Sequence, residues 1–322
     1  MKWSPIAVLT FSLTVTGASH ASRTHGESCA NDLSRGRAYF ESTIEYDDLM
    51  SKANPTVHVW INGRPAKMMF DTGANANILW DSGFFPQALG EDALDVDAHV
   101  ASARAKKISA EVADGYGNAF HRDFYIPSTA SILARDGYAG ILSPQAIAGH
   151  SALLIDFEKN CFFTSAPFPI RASNELKIYP GKIIENPYRE MAVQAKLGNV
   201  IVPFIIDSGA QHTMVLTSLV ASAPEGKESP RAMDMYGAEL PRSSPFRLID
   251  LNLNGEYFHG LPVSSIKKIH SKGVYRAGYI GMDVLKNHLI YYHGPQHTLL
   301  TLRRLSLLNP MPLTDKTTAP ET

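Results

Sequence analysis

Phe70-Asp71-Thr72-Gly73-Ala74 and Ile206-Asp207-Ser208-Gly209-Ala210 are two versions of one pentapeptide. Each ends an apolar run with an aspartate, a hydroxyl residue, a glycine and an alanine. A single Asp-Ser/Thr-Gly is ordinary turn chemistry. Two copies, each at the end of a matching apolar stretch, put a pair of carboxylates on two copies of one structural unit.

The match extends outward from the aspartates. Val57 to Asp71 aligns without gaps on Val193 to Asp207. Both stretches read as a strand, a tight turn at Asn62-Gly63 or Gly198-Asn199, and a second strand that is apolar throughout, as a buried strand is. Beyond the aspartates the chain turns apolar again, through Ile78-Leu79-Trp80 and Met214-Val215-Leu216. Two further pairings follow in the same order. Asp114-Gly115-Tyr116-Gly117 is matched to Asp234-Met235-Tyr236-Gly237, and Gly137-Tyr138-Ala139-Gly140 to Gly278-Tyr279-Ile280-Gly281. Each half closes on a β-rich stretch, Leu153 to Phe157 and Leu289 to Tyr292. Helical patterning is confined to short segments near Pro144–Ile147 and Met282–Asn287. The expectation is an internal duplication and an all-β chain of two related lobes.

A carboxylate against a second carboxylate cannot ionise independently, so over a range of pH the pair shares one proton. One oxygen can then take a proton from water while its partner donates a hydrogen bond to a substrate carbonyl. Gly73 and Gly209 let backbone approach such a pair closely, and the hydroxyls of Thr72 and Ser208 can bind neighbouring backbone. Asp71 and Asp207 are therefore the candidate catalytic residues, with Thr72, Gly73, Ala74, Ser208, Gly209 and Ala210 supporting their loops.

The remaining composition narrows the partners. Thirty Lys and Arg against 31 Asp and Glu, with no block of like charge, argue against nucleic acid and anionic membranes. Met1-Lys2, an apolar stretch from Pro5 to Ala18, and Ser19-His20-Ala21 before a cut after Ala21 read as a signal peptide. The apolar stretch is short for a membrane span, and an uncleaved anchor is the lesser alternative. The two cysteines, Cys29 and Cys161, form one long-range disulfide in an exported protein or stand as separate thiols; the spacing does not choose. His288, His293 and His297 do not suggest a metal site, because Gly294-Pro295 breaks any helix that would align the last two. Trp60 and Trp80 read as core residues flanking the first aspartate loop, and Pro203 as a limit on pairing of the second aspartate strand.

These motifs resemble those of the pepsin and retropepsin superfamily of aspartic proteases, and in particular bacterial exported proteins with two retropepsin-like repeats. Ala74 and Ala210 after Asp-Thr-Gly and Asp-Ser-Gly are similar to retropepsins. Asp136 to Leu142 and Gly281 to Lys286 resemble the elements that back the two active-site loops, with Ser143 a departure. The resemblance implies the acid protease fold, with the active-site cleft between two β-barrel-like lobes, and an aspartic endopeptidase acting on peptide or protein substrates without cofactor or metal. It also implies a hairpin flap from the first lobe, for which Tyr116 is the candidate; the other reading of Tyr116 is a packed tyrosine in a plain turn. The expected organisation is a signal peptide at 1–21, an N-terminal extension at 22–51 that is either a removable pro-piece or part of the body, a first lobe at 52–166, a linker at 167–187, a second lobe at 188–305 and a flexible tail at 306–322. A monomer, periplasmic or secreted, with no stable membrane insertion and an acidic pH optimum, completes the expectation. The alternative is a non-catalytic exported peptide-binding protein on the same scaffold.

Overall fold

The computed structural model describes Cys29 and residues 38–305, apart from 86–90, 98–101, 130, 186–189, 230–231, 241, 268 and 270–274. The signal-peptide and tail expectations lie outside these residues. The chain is all-β, as the alternating and continuous apolar runs predict.

The first half begins with β1 (Phe40–Thr43) and continues with β2 (Thr56–Ile61), β3 (Arg64–Phe70), β4 (Asn77–Leu79), β5 (Glu91–Asp97), β6 (Ser102–Ala113), β7 (Ala119–Pro127) and β8 (Gly140–Leu142). A short helix α1 (Pro144–Ala148) leads to β9 (Ala152–Asp156) and β10 (Cys161–Ser165). After β11 (Leu176–Lys182), the second half runs β12 (Ala192–Leu197), β13 (Val200–Ile206), β14 (Met214–Leu216), α2 (Thr217–Val220), β15 (Arg242–Leu253), β16 (Glu256–Ile266) and β17 (Gly278–Ile280). The one-turn α3 (Met282–Leu285), β18 (Leu289–His293) and β19 (Thr298–Arg304) end it.

Each lobe is a six-stranded ring. In the first the order is β2-β3-β8-β4-β7-β6, closed by a β2–β6 pairing, with β5 appended to β6. In the second it is β12-β13-β17-β14-β16-β15, closed by β12–β15. Strand by strand the two rings correspond. The aspartate-bearing β3 and β13 each lie parallel to the short β8 and β17, so a crossover, not a hairpin, joins them. Alternate residues of β13 serve two purposes: Phe204 and Ile206 fill the barrel core, while Ile205 and Asp207 face outward. Asn62 and Gly63, both at positive φ, make the tight β2–β3 turn. Pro203 keeps its place in β13, opposite Gln194.

A third sheet joins the lobes, in the order β1-β10-β9-β18-β19-β11. Its centre is the antiparallel pair β9–β18, where Leu153 faces Tyr292 and Ile155 faces Ile290. Exchanging the two halves maps this order onto itself, which is the twofold symmetry of the duplication carried into one sheet. Strand β1 comes from within the 22–51 extension and buries Phe40 and Ile44 in the core. Strand β11 comes from the stretch expected to be a linker. Both segments are thus edge strands of the joining sheet. Cys29 is bonded to Cys161 of β10. Closing a loop of 132 residues removes unfolded-state entropy equivalent to roughly 4–5 kcal/mol in the chain-entropy account.

Candidate active site

Strands β3 and β13 end at the same place between the lobes, and the two pentapeptides meet there as mirror loops. Gly73 N–H and Ala74 N–H donate to Asp71 Oδ1 at 2.8 and 3.2 Å; Gly209 N–H and Ala210 N–H donate to Asp207 Oδ1 at 2.9 and 3.2 Å. The hydroxyls tie one loop to the other. Thr72 Oγ1 donates to the Ile206 carbonyl (2.8 Å) and accepts from Ser208 N–H (2.8 Å), while Ser208 Oγ donates to the Phe70 carbonyl (2.9 Å) and accepts from Thr72 N–H (3.0 Å). Four reciprocal bonds between buried groups fix the spacing of the aspartates, and removing either hydroxyl leaves buried backbone unpaired. Each glycine lies against the opposite carboxyl. A Cβ on Gly73 would stand 2.6 Å from Asp207 Cγ, and one on Gly209 2.9 Å from Asp71 Cγ. No side chain fits at either position.

The two carboxyls hydrogen-bond each other. Burial pushes both above the usual carboxylate range, and Asp207, with Asp71 as its next largest influence, is raised well above it. Asp207 is also the less accessible of the two. The pair is therefore arranged to share a single proton over a range of pH. The surroundings of the two carboxyls differ between the lobes. Tyr279 stands in β17 where β8 has Ile141, and its phenol is pushed up by burial first and then by the charge of Asp207. Next to it lies a buried ion pair between Arg276 and Glu190.

A second set of residues holds the loops from behind, and sequence reading did not single them out for this purpose. Asn77 Oδ1 accepts Ser143 N–H (3.0 Å), and its counterpart Thr213 Oγ1 accepts Gly281 N–H (3.1 Å). Gln145 Nε2 donates to the Thr72 and Ala74 carbonyls at 2.9 and 2.6 Å. In the other lobe Asp283 takes that place and accepts from Thr213 N–H and Oγ1. Their signal in sequence is equal spacing: Asn77 and Thr213 each follow their aspartate at the same distance, as do Gln145 and Asp283 the short strands β8 and β17.

Those short strands correct the register of the duplication. Gly140-Ile141-Leu142-Ser143, not Gly137 to Gly140, is the counterpart of Gly278-Tyr279-Ile280-Gly281, because Met68 to Phe70 pair with Gly140 to Leu142 as Phe204 to Ile206 pair with Gly278 to Ile280. The physical cause is contact: a Cβ on Gly140 would lie 1.9 Å from the Ile78 carbonyl oxygen, and on Gly278 2.0 Å from that of Met214. Gly137 instead caps a 3₁₀ turn at positive φ.

Tyr116 is not at the cleft. It belongs to the β6–β7 turn, where Ala113 pairs with Trp60 and Val112 with Ile61, at the far end of β2 and β3 from Asp71. Seven residues of β3 separate the two levels, roughly 20 Å at strand rise. The turn is built on Asp114, which accepts from Tyr116 and Asn118 N–H and from Glu41 N–H of β1. It therefore docks on the joining sheet, and Tyr116 is a turn tyrosine, as in the second reading, but an exposed one. The hairpin at the aspartate end of the first lobe is β5–β6, joined through residues 98–101. The matched motif at Asp234 makes the same local loop, with Tyr236 and Ala238 N–H donating to Asp234, but it precedes β15. Its likeness to Asp114 is turn chemistry, not a shared place in the fold.

The remaining candidates are placed as follows. Trp60 and Trp80 are half-buried, and the Trp80 indole N–H donates to the Tyr138 carbonyl. His288 is buried between the Val284 carbonyl and Glu256, each at 2.7 Å. His293 contacts the His150 carbonyl and His297 pairs with Glu185. Among the described residues no group of three or more His, Cys, Asp or Glu is placed to hold a metal ion, and no helix is long and apolar enough to cross a membrane.

No protein-family model and no curated protein matches the sequence. Among solved structures, the chain is similar to the crystal structure of aspartic proteinase from Irpex lacteus, with a TM-score of 0.54 and 12% identity over 84% of this chain and 98% of that one. This likeness shows the fold: two all-β lobes of the acid protease type.

Proposed function

We propose that the chain is an aspartic endopeptidase whose catalytic residues are Asp71 and Asp207. The observation that carries this reading is the meeting of two hydrogen-bonded, buried carboxyls at mirror loops, each loop's glycine lying against the other loop's carboxyl. The ionised member of the Asp71–Asp207 pair takes a proton from a water held between the two. The water oxygen attacks the peptide carbonyl carbon while the protonated member gives its proton to the carbonyl oxygen, forming a neutral tetrahedral diol. Proton transfer to the amide nitrogen, and return of a diol proton to the dyad, breaks the C–N bond. No covalent enzyme intermediate forms, and both protons are accounted for. Thr72 and Ser208 keep the aspartates at one spacing throughout.

Because one chain supplies both aspartates, the active species is a monomer. The sequence before residue 22, read as a signal peptide, supports a place in the periplasm or outside the cell, with an uncleaved anchor the lesser alternative, and the motifs resemble those of bacterial exported proteins carrying two retropepsin-like repeats.

The test is cleavage of a diverse peptide library between acid and neutral pH by the mature protein and by its Asp71→Asn variant. Cleavage by the wild type alone, blocked by a statine-type transition-state mimic, is the expected result. Peptide binding without cleavage by either protein would assign the cleft to a non-catalytic binding protein instead.

A further inference from the structure

The two walls of the cleft are not alike, and the difference comes from residues 232–240. In the first lobe Met69 and Ala74, which flank Asp71, are partly exposed. Their counterparts Ile205 and Ala210 are buried, Ile205 to 1%. What covers them is a cluster in which Leu240 and Ala232 pack with Ile205, Ala210, Met214 and Tyr279. Ile205 shares the outward face of β13 with Asp207, and Tyr279 is its partner across β17. The segment thus lies on the dyad side of the second lobe, where Leu240 N–H donates to the Ala232 carbonyl and closes it into a loop.

The tip of that loop crosses to the other lobe. The Met235 carbonyl accepts two hydrogen bonds from the first lobe, from Ser131 Oγ at 2.6 Å and from Ile132 N–H at 3.1 Å. Beside them Gly237, at positive φ, receives the Ile132 side chain so closely that a Cβ there would lie 2.7 Å from Ile132 Cγ2. Ser131 and Ile132 begin the 3₁₀ turn that leads into β8, so the contact ties the segment before β15 to the element that carries β8 beside β3.

We propose that residues 232–240 form a strap latched to Ser131 and Ile132 of the first lobe, and that it sets the substrate class: flexible peptides with a free end, which thread beneath it, in preference to chains without one. The proposal rests on the cleft being the peptide site. A linear peptide enters end-first with the latch shut. A closed ring cannot enter until both bonds to the Met235 carbonyl break.

Ile132→Pro removes one of these bonds together with the side-chain contact to Gly237. Ile132 is the first residue of its turn, where proline is tolerated, and Ser131 already has the extended backbone (φ −76°, ψ 150°) that proline requires of its predecessor. Ser131→Ala removes the other, at the cost of the cap it provides to Leu133 N–H. Losing both bonds raises the open fraction by about tenfold or more.

The experiment compares kcat/KM for a linear peptide and its large head-to-tail cyclic form, in the wild type, in each single variant, in the double variant and in Met235→Ala, with folding checked by circular dichroism. The linear-over-cyclic ratio is expected to be about tenfold or more in the wild type and in Met235→Ala, which keeps its carbonyl, and to collapse toward unity in Ser131→Ala/Ile132→Pro. If the double variant does not fold, each single variant is expected to narrow the ratio part of the way. A ratio equal to one in the wild type, or unchanged in folded latch variants, overturns the strap. If no protein cuts either peptide, their binding by fluorescence anisotropy decides. A linear preference that the latch variants abolish keeps the strap and removes the proteolytic reading, whereas equal binding, or none, overturns the strap as well.

Discussion

Asp207 shows how much of this site is set by burial acting on one side chain. It accepts two backbone N–H bonds, which favour its ionised form, yet burial and the neighbouring charge of Asp71 outweigh them. A group whose folded-state pKa lies above its unfolded value contributes stability that is complete below the unfolded value and is lost as pH rises through the folded one. The wild type is thus less stable at neutral pH than at acid pH, because ionisation there favours the unfolded chain. Asp207→Asn keeps the shape and cannot ionise, so its melting temperature is expected to exceed that of the wild type at pH 7, with the gap closing toward pH 3. Calorimetry on the two proteins across that range checks the sign; a gap independent of pH would show that the raised pKa is absent. The same balance extends the one-proton state of the pair upward from the ordinary carboxylate range, and for the proposed protease it predicts an alkaline limb of activity displaced toward neutrality.

At the scale of elements, local chemistry and position in the fold separate. The Asp114 and Asp234 turns make the same hydrogen bonds to the residues two and four places on. One docks on the joining sheet and the other reaches the first lobe at Ser131. Tyr116→Ala is therefore expected to leave kcat/KM within about twofold of wild type, since loss of contacts far from the transition state does not enter the barrier. Steady-state kinetics decides the matter, and a large loss in kcat would return Tyr116 to the cleft. These turns also show why the sequence was legible in some places and not in others. The aspartate loops could be read because every group they need is contiguous, from Asp71 to Ala74 and from Asp207 to Ala210. The true register of β8 could not, because Gly140 is required by a carbonyl at Ile78, far away in the chain, while Gly137-Tyr138-Ala139-Gly140 gave the better-looking match. Strands β1 and β11 were missed for a related reason: each is an edge strand whose partner, β10 or β19, is distant in sequence.

Over the whole molecule, duplication supplies the symmetry and small departures from it supply direction. The joining sheet pairs β9 with β18 about the twofold axis, and the Thr72–Ser208 exchange repeats that symmetry at the dyad. Against this background Tyr279 opposite Ile141, the Arg276–Glu190 pair, and the 232–240 loop all fall on the second lobe. On the same side Asp207 is the more buried of the two carboxyls. Cys29 and β1 belong to the same body, since β1 completes one edge of the joining sheet and Cys29 is bonded to β10. The measurement that tests the central claim most directly is active-site titration of the purified protein with a tight-binding statine-type inhibitor. One inhibitor bound per chain, with turnover abolished by either Asp71→Asn or Asp207→Asn, is the predicted result. Half an inhibitor per chain, or turnover surviving either substitution, would contradict a single dyad built within one chain.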